Sequence, residues 1–191
     1  NLNIDLYEAD FDQIDFETLD PNSGLYEYDP HFSILLYDAK VLQLKFLKLT
    51  TEEQVDFAKN FIEKFSATIK NIFNRSKSKV LIYNFAPLKD DVFNLLSFKN
   101  TSSFAYQLQL INEGFTKLSF SYKSLYVIDA GALFLKHGLE NLYSSKLYVT
   151  TSQPYNLNFI PTLTSPVIDL INNLAGKVQK CLILDLDNTL W

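Results

Sequence analysis

The chain has 191 residues and a formal net charge of −5, and 47% of its residues are hydrophobic, so it can build one packed domain. The negative charge argues against a nucleic-acid backbone as the main partner, because phosphate binding needs a cationic surface. A start without Met leads us to expect a fragment or a processed form, and the lack of a secretory signal and of an apolar run of about 20 residues predicts a cytoplasmic protein without a membrane partner.

The first half predicts one strand and one long helix. Residues 11–30 are acidic and rich in turn-forming residues, so we expect an irregular segment there. The apolar run 32–37 is typical of a strand that is buried on both faces. Residues 51–76 repeat apolar side chains at steps of three and four, which predicts a single helix, and Thr50 with Glu53 forms a capping box at its start.

The second half alternates strands and helices again. The apolar runs 79–85 and 125–129 predict strands, and residues 103–122 between them have the periodicity of an amphipathic helix. The stretch 134–161 is polar and has only a weak pattern, so we expect a long loop there, with a helical turn near 138–142.

A third helix is predicted to begin after Ser165 as its cap, with Pro166 at the first position and Gly176 near the end. The last apolar run, 180–185, predicts a further strand. Strands that alternate with helices in this way form parallel sheets, because a parallel connection needs a long crossover. We therefore predict an α/β fold, a three-layer α/β/α sandwich with a mainly parallel sheet.

Ligands of such folds bind beyond the carboxyl ends of the parallel strands. Asn84 and Asp129 follow predicted strands at this edge, and both are candidates for the lining of a cleft. Each has a structural alternative, because Asn84 could form a turn and Asp129 could cap a helix that starts with Ala130 and Gly131.

The sharpest motif is at residues 182–191, Leu-Ile-Leu-Asp-Leu-Asp-Asn-Thr-Leu-Trp. A carboxylate at the end of a buried strand can attack phosphorus as a nucleophile. A second acid two residues later can protonate the leaving group and then activate water. The alternative interpretation is an acidic turn after a buried strand.

This motif resembles the first motif of haloacid dehalogenase-like phosphatases and phosphotransferases. The resemblance implies that Asp185 is the nucleophile, that Asp187 is the general acid and base, and that Thr189 supports the loop. It also implies that Asp185 and the backbone carbonyl of Asp187 bind Mg²⁺ in the intact parent protein. The later motifs of that family are absent from this chain, so we expect the fragment itself to be inactive.

Residues 180–191 are also similar to the domain junction of FkbH-like proteins, a group of haloacid dehalogenase-type phosphatases. In those proteins an SGNH-hydrolase-like domain comes first. The resemblance implies a domain of SGNH-hydrolase or flavodoxin-like architecture over 1–179, lacking its first strand, and the start of a truncated phosphatase-like domain over 180–191.

The residues that give SGNH enzymes their hydrolase chemistry are missing from the matching positions. The stretch 148–161, where an Asp and a His should stand, has neither, and Asp38 lies where a Gly and an oxyanion Asn are expected. His31 and His137 lie elsewhere in the sequence. We expect His31 to be a surface or packing residue and His137 to be a cation at a helix end.

The resemblance implies a Mg²⁺-dependent parent that acts on a phosphorylated small molecule, with an acyl carrier protein as a further partner. We expect residues 1–179 to be an accessory domain that presents the substrate or the carrier. Two alternatives stay open: an active SGNH-type esterase, and a pure protein-interaction module that docks the carrier.

Overall fold

The computed structural model describes residues 3–10, 13–88, 92–138, 144 and 155–177. In these ranges three strands form one parallel sheet in the order β1–β2–β3. The strands are β1 Phe32–Leu35, β2 Lys79–Tyr83 and β3 Leu125–Ile128.

The described ranges hold eight α-helices and two 3₁₀ helices. The α-helices are α1 Ile14–Leu19, α2 Gly24–Tyr28, α3 Ala39–Phe46, α4 Thr51–Val55, α5 Phe57–Arg75, α6 Phe104–Ser121, α7 Ala130–His137 and α8 Ile160–Leu174. The 3₁₀ helices are Asn94–Lys99 and Leu157–Phe159. Among them, none is both long and apolar enough to cross a bilayer.

The sheet lies between two helical layers, because successive strand residues point to opposite faces. Val80 and Ile82 of β2 belong to the main core, which also holds buried residues of α3, α5 and α6. Leu81, between them, faces the other way and packs with Val167 and Ile171 of α8. The predicted three-layer α/β architecture with a parallel sheet is therefore confirmed.

The helices α5 and α6 approach each other closely at Gly114. A Cβ atom at this position would lie 2.5 Å from Cδ1 of Ile62, so any larger residue would force the Ile62 side chain to move. Nearby, the rings of Phe65 and Phe115 meet edge to face with their centroids 4.7 Å apart. Both rings are buried and belong to the main core.

The N-terminal part differs from the prediction in two ways. The segment expected to be irregular, 11–30, contains the short helices α1 and α2. The strand expected to be buried on both faces is only partly covered on one of them, because Ile34 of β1 is 42% exposed. Phe32, two residues earlier on the same face, packs against the cluster that holds Val167 and Ile171 of α8, so the cover of this edge strand ends before Ile34.

The predicted long helix 51–76 is in fact broken at Asp56, between α4 and α5. The buried amide of Gln107 on α6 satisfies the backbone at the break. Its Oε1 accepts from the N–H of Ala58 at 2.8 Å, and its Nε2 donates to the carbonyl of Val55 at 3.0 Å. The break depends on a residue about fifty positions away, which helical periodicity cannot reveal.

The capping box at the start of this pair of helices is confirmed. The Glu53 carboxylate accepts from the backbone N–H of Thr50 at 2.8 Å, and the Thr50 hydroxyl oxygen accepts from the N–H of Glu53 at 3.4 Å. Because the carboxylate form accepts these bonds, the backbone N–H of Thr50 first and its hydroxyl second lower the pKa of Glu53.

The last third was the least well predicted. Part of the expected loop 134–161 belongs to α7, and the expected cap Ser165 lies inside α8, which begins at Ile160. Pro166 is therefore an internal proline, and Pro161 takes the position near the helix start that suits this residue. The predicted strand 180–185 lies outside the described residues.

The end of α8 near Gly176 is as expected. Gly176 has a φ of +70°, and its N–H donates to the carbonyl of Asn173 at 3.1 Å. The N–H of Lys177 donates to the carbonyl of Asn172 at 2.9 Å. This pair of bonds is a Schellman motif, which requires a left-handed residue after the helix.

Candidate functional site

The carboxyl ends of the three strands lie side by side, and a polar residue follows each of them. Asp38 follows β1, Asn84 follows β2 and Asp129 follows β3. In a parallel α/β sheet this edge is where ligands bind. The contacts of these three side chains therefore decide what the edge can do.

The two predicted cleft residues meet at this edge. The side-chain nitrogen of Asn84 donates to Oδ1 of Asp129 at 3.3 Å, and Oδ1 of Asn84 accepts from the N–H of Ala130 at 2.7 Å. Oδ1 of Asp129 also accepts from the N–H of Ala132 at 3.3 Å, which caps α7. The pair thus organises the first turn of α7. The helix cap named above for Asp129 is present, whereas Asn84 supports this cap and does not form a turn.

Asp38 has the same kind of role. Its Oδ1 accepts from the N–H of Lys40 at 2.7 Å and caps α3. All three polar residues at the strand ends are therefore helix caps or partners of a cap. Their hydrogen-bonding oxygens are thus engaged with the backbone at the start of a helix.

A fourth residue fixes the edge and was not assigned a role from the sequence. Asn112 of α6 accepts from the N–H of Phe85 through Oδ1 and donates to the carbonyl of Phe85 through Nδ2, both at 2.8 Å. This pair of hydrogen bonds fixes the backbone just after β2. The partners are 27 positions apart, so no local pattern in the sequence could have indicated it.

Tyr83, at the end of β2, ties the sheet to the helical layer above it. Its hydroxyl donates to the carbonyl of Leu163 in α8. Burial raises the pKa of Tyr83 to about 12, so the hydroxyl stays protonated at neutral pH and can keep donating.

A cleft of about 430 Å³ opens between α7 and α8, close to this edge. Its polar lining includes Lys136 and His137 from the end of α7 and Ser165 and Asp169 from α8. The ring of His137 also packs edge to face on Phe159 with the centroids 5.3 Å apart. His137 lies in the last turn of α7, so its expected position at a helix end is confirmed.

The described residues bring together no catalytic triad. His31 is exposed just before β1, at the amino end of the sheet, and its carbonyl accepts from the N–H of Lys79 at 2.9 Å. The described part of the chain also contains no cluster of three or more His, Cys, Asp or Glu side chains that could hold a metal. Asp185, Asp187 and Thr189 lie outside the described residues.

Comparisons with known proteins agree with this architecture. Residues 1–172 match the family model described as FkbH, N-terminal domain. A solved structure of the N-terminal part of the protein BF1531 from Bacteroides fragilis, containing a phosphatase domain and complexed with Mg, aligns with a TM-score of 0.87 and 28% identity. The alignment covers 97% of this chain but only 48% of that one, so the chain spans about half the length of its neighbour. No curated protein matches the sequence.

Proposed function

The chain belongs to the family of FkbH N-terminal domains, and we propose that its domain has no hydrolytic chemistry of its own and presents a substrate or a carrier to a phosphatase-like domain. The observation that carries the proposal is the use of Asp38, Asn84 and Asp129 as helix caps and partners of a cap at the carboxyl edge. In this family the chemistry then belongs to the domain that begins near residue 180.

The hydrogen bonds at the edge support the first half of the proposal. An SGNH-type esterase needs a base that an acid orients, and Asp129 instead accepts from an amide and from a helix N–H. The side-chain oxygen of Asn84 accepts from the N–H of Ala130, and its side-chain nitrogen donates to Asp129. Neither side chain is arranged to activate a serine.

The solved neighbour supports the second half, because it contains a phosphatase domain and was crystallised with Mg. In the proposed reaction the carboxylate of Asp185 attacks phosphorus, and the bond to the leaving oxygen breaks as Asp187 gives that oxygen a proton. Asp187 then takes a proton from a water molecule as that water attacks phosphorus, and the bond between phosphorus and the Asp185 oxygen breaks, which releases inorganic phosphate and restores the Asp185 carboxylate. Thr189 steadies the loop.

The proposed ligands, the Asp185 carboxylate and the backbone carbonyl of Asp187, suit magnesium, because carboxylate and carbonyl oxygens are the ligands this ion prefers. When bound, the ion would neutralise charge between the Asp185 carboxylate and the phosphoryl oxygens. The substrate in this proposal is a phosphorylated small molecule, and an acyl carrier protein is a further candidate partner.

Two assays on the 191-residue chain test whether this domain has hydrolytic activity of its own. We expect no turnover of an aryl phosphate with Mg²⁺ and no turnover of an aryl acetate beyond a background that is the same in Asp129→Asn. Turnover of the phosphate by this chain would refute the proposal. Acetate hydrolysis that a serine-directed inhibitor abolishes would establish the esterase alternative instead.

A further inference from the structure

The 3₁₀ helix Asn94–Lys99 carries an unusual set of exposed apolar side chains. Leu95 is 93% exposed, Leu96 is 65% exposed and Phe98 is 62% exposed. Single exposed apolar residues are common, but three in four consecutive positions form a contiguous patch. We refer to Leu95, Leu96 and Phe98 as the apolar face.

The geometry of the 3₁₀ helix explains how the face is built. Residues three positions apart are stacked on one side of such a helix, because it has three residues per turn. Leu95 and Phe98 therefore form one exposed ridge. On the next side, Phe93, Leu96 and Lys99 line a cavity of about 270 Å³, which is large enough to receive an apolar side chain.

The third side of the 3₁₀ helix anchors it to the domain. Ser97 is buried, and its hydroxyl donates to the carbonyl of Asn94 at 2.6 Å. The side-chain oxygen of Asn100 accepts from the N–H of Ser102 at 3.0 Å, which ties the segment to the start of α6. These bonds order the backbone that carries the apolar face, which lowers the entropy lost when a partner binds.

The size of the face favours one class of partner. From the exposed fractions, the three side chains expose on the order of 400–500 Å² of surface, about the largest patch on a typical monomer. Burial of the apolar face together with an equal area of the partner's surface would remove about 1,000 Å² from solvent. An area of this size is typical of an interface between domains of one chain. A stable pair of separate proteins needs about 1,600 Å², so the face is small for a homodimer.

The position of the face points to the same partner. The 3₁₀ helix follows β2 and so lies on the carboxyl side of the sheet, the edge at which a presented substrate must be held. The solved neighbour is about twice as long as this chain and contains a phosphatase domain. We propose that Leu95, Leu96 and Phe98 form the surface on which the phosphatase-like domain of the same polypeptide packs. This inference rests on the proposed function.

Amide hydrogen exchange tests the docking directly. The exchange of residues 94–99 is compared between the 191-residue chain and the polypeptide that continues through a complete phosphatase-like domain. We expect exchange to be at least about tenfold slower in the longer polypeptide, because a packed face hinders opening of the 3₁₀ helix. The double variant Leu95→Ser with Phe98→Ser should lose this protection.

The matched control is Phe120→Ser, because Phe120 is 85% exposed but lies at the far end of α6. This variant should keep the protection. Equal exchange in the two wild-type polypeptides would overturn the inference, and so would protection that rises with protein concentration, which would indicate a second copy as the partner. Phosphate release from an aryl phosphate, measured on the same samples, tests the proposed function separately, since docking can fail while activity persists.

Discussion

Asn84→Asp is the substitution that best separates a structural from a ligand-binding role at the carboxyl edge. The new carboxylate can still accept from the N–H of Ala130, but it can no longer donate to Asp129. Two carboxylates would face each other across the 3.3 Å that now separates the amide nitrogen from Oδ1 of Asp129. The variant thus tests one contact with little change in side-chain volume.

At this distance the repulsion of two unit charges is about 1 kcal/mol in water and about 5 kcal/mol at an effective dielectric constant of 20. Asp129 is exposed, so we expect the lower part of this range, and the lost hydrogen bond adds about 1 kcal/mol. The free energy of unfolding should therefore fall by about 2 kcal/mol at pH 7. Because the folded variant binds protons more tightly than the unfolded chain, the electrostatic part of the loss should disappear at pH 3 and grow as the pH rises.

Urea denaturation at pH 3 and pH 7, followed by circular dichroism, measures the difference. Asn158→Asp is the control, because it adds the same charge at an exposed position of the second 3₁₀ helix. An Asn84→Asp variant as stable as the wild type at pH 7, or one that loses the same free energy at both pH values, would refute the assigned contact.

Three further predictions concern the fold around the site. Gln107→Leu should lower the free energy of unfolding by about 3 kcal/mol, measured by urea denaturation, because it leaves buried backbone groups at the helix break unpaired. Gly114→Ala should destabilise by about 1–3 kcal/mol, despite the better helix propensity of alanine, because its Cβ would collide with Ile62; a thermal melt that shows stabilisation would contradict this. Glu53→Gln should destabilise the protein at neutral pH and make little difference at acid pH. Because the pKa of Glu53 is lowered in the folded protein, its carboxylate stabilises the fold at a pH above the unfolded pKa, and this effect is lost as the pH falls through the folded pKa. An equal loss of the free energy of unfolding at both pH values would contradict the capping box.

Local patterns predicted the sheet well. Each of the three strands is a short apolar run, and burial between helical layers leaves that signature in the sequence. The capping box at Thr50 was equally clear, because its two residues are only three positions apart. The cap at Asp129 was visible as an alternative, and the structure contains this cap.

Long-range contacts account for most of what the sequence did not reveal. The break at Asp56 is stabilised by Gln107, and the chain after β2 is fixed by Asn112, which no local pattern can show. The start of α8 was placed six residues too late, because Pro166 suits the first turn of a helix and its acceptance inside one depends on packing. The helix α3 was not predicted, and at eight residues it is too short for a clear period.

The most direct test of the division between a presenting domain and a catalytic one is phosphate release by the polypeptide that carries a complete phosphatase-like domain. With Mg²⁺ and an aryl phosphate, Asp185→Asn should reduce turnover about 1,000-fold or more, as the loss of a nucleophile does in other enzymes. Asn84→Ala should leave turnover of this small substrate close to that of the wild type. Full activity in Asp185→Asn, or loss of activity in a folded Asn84→Ala, would contradict the account.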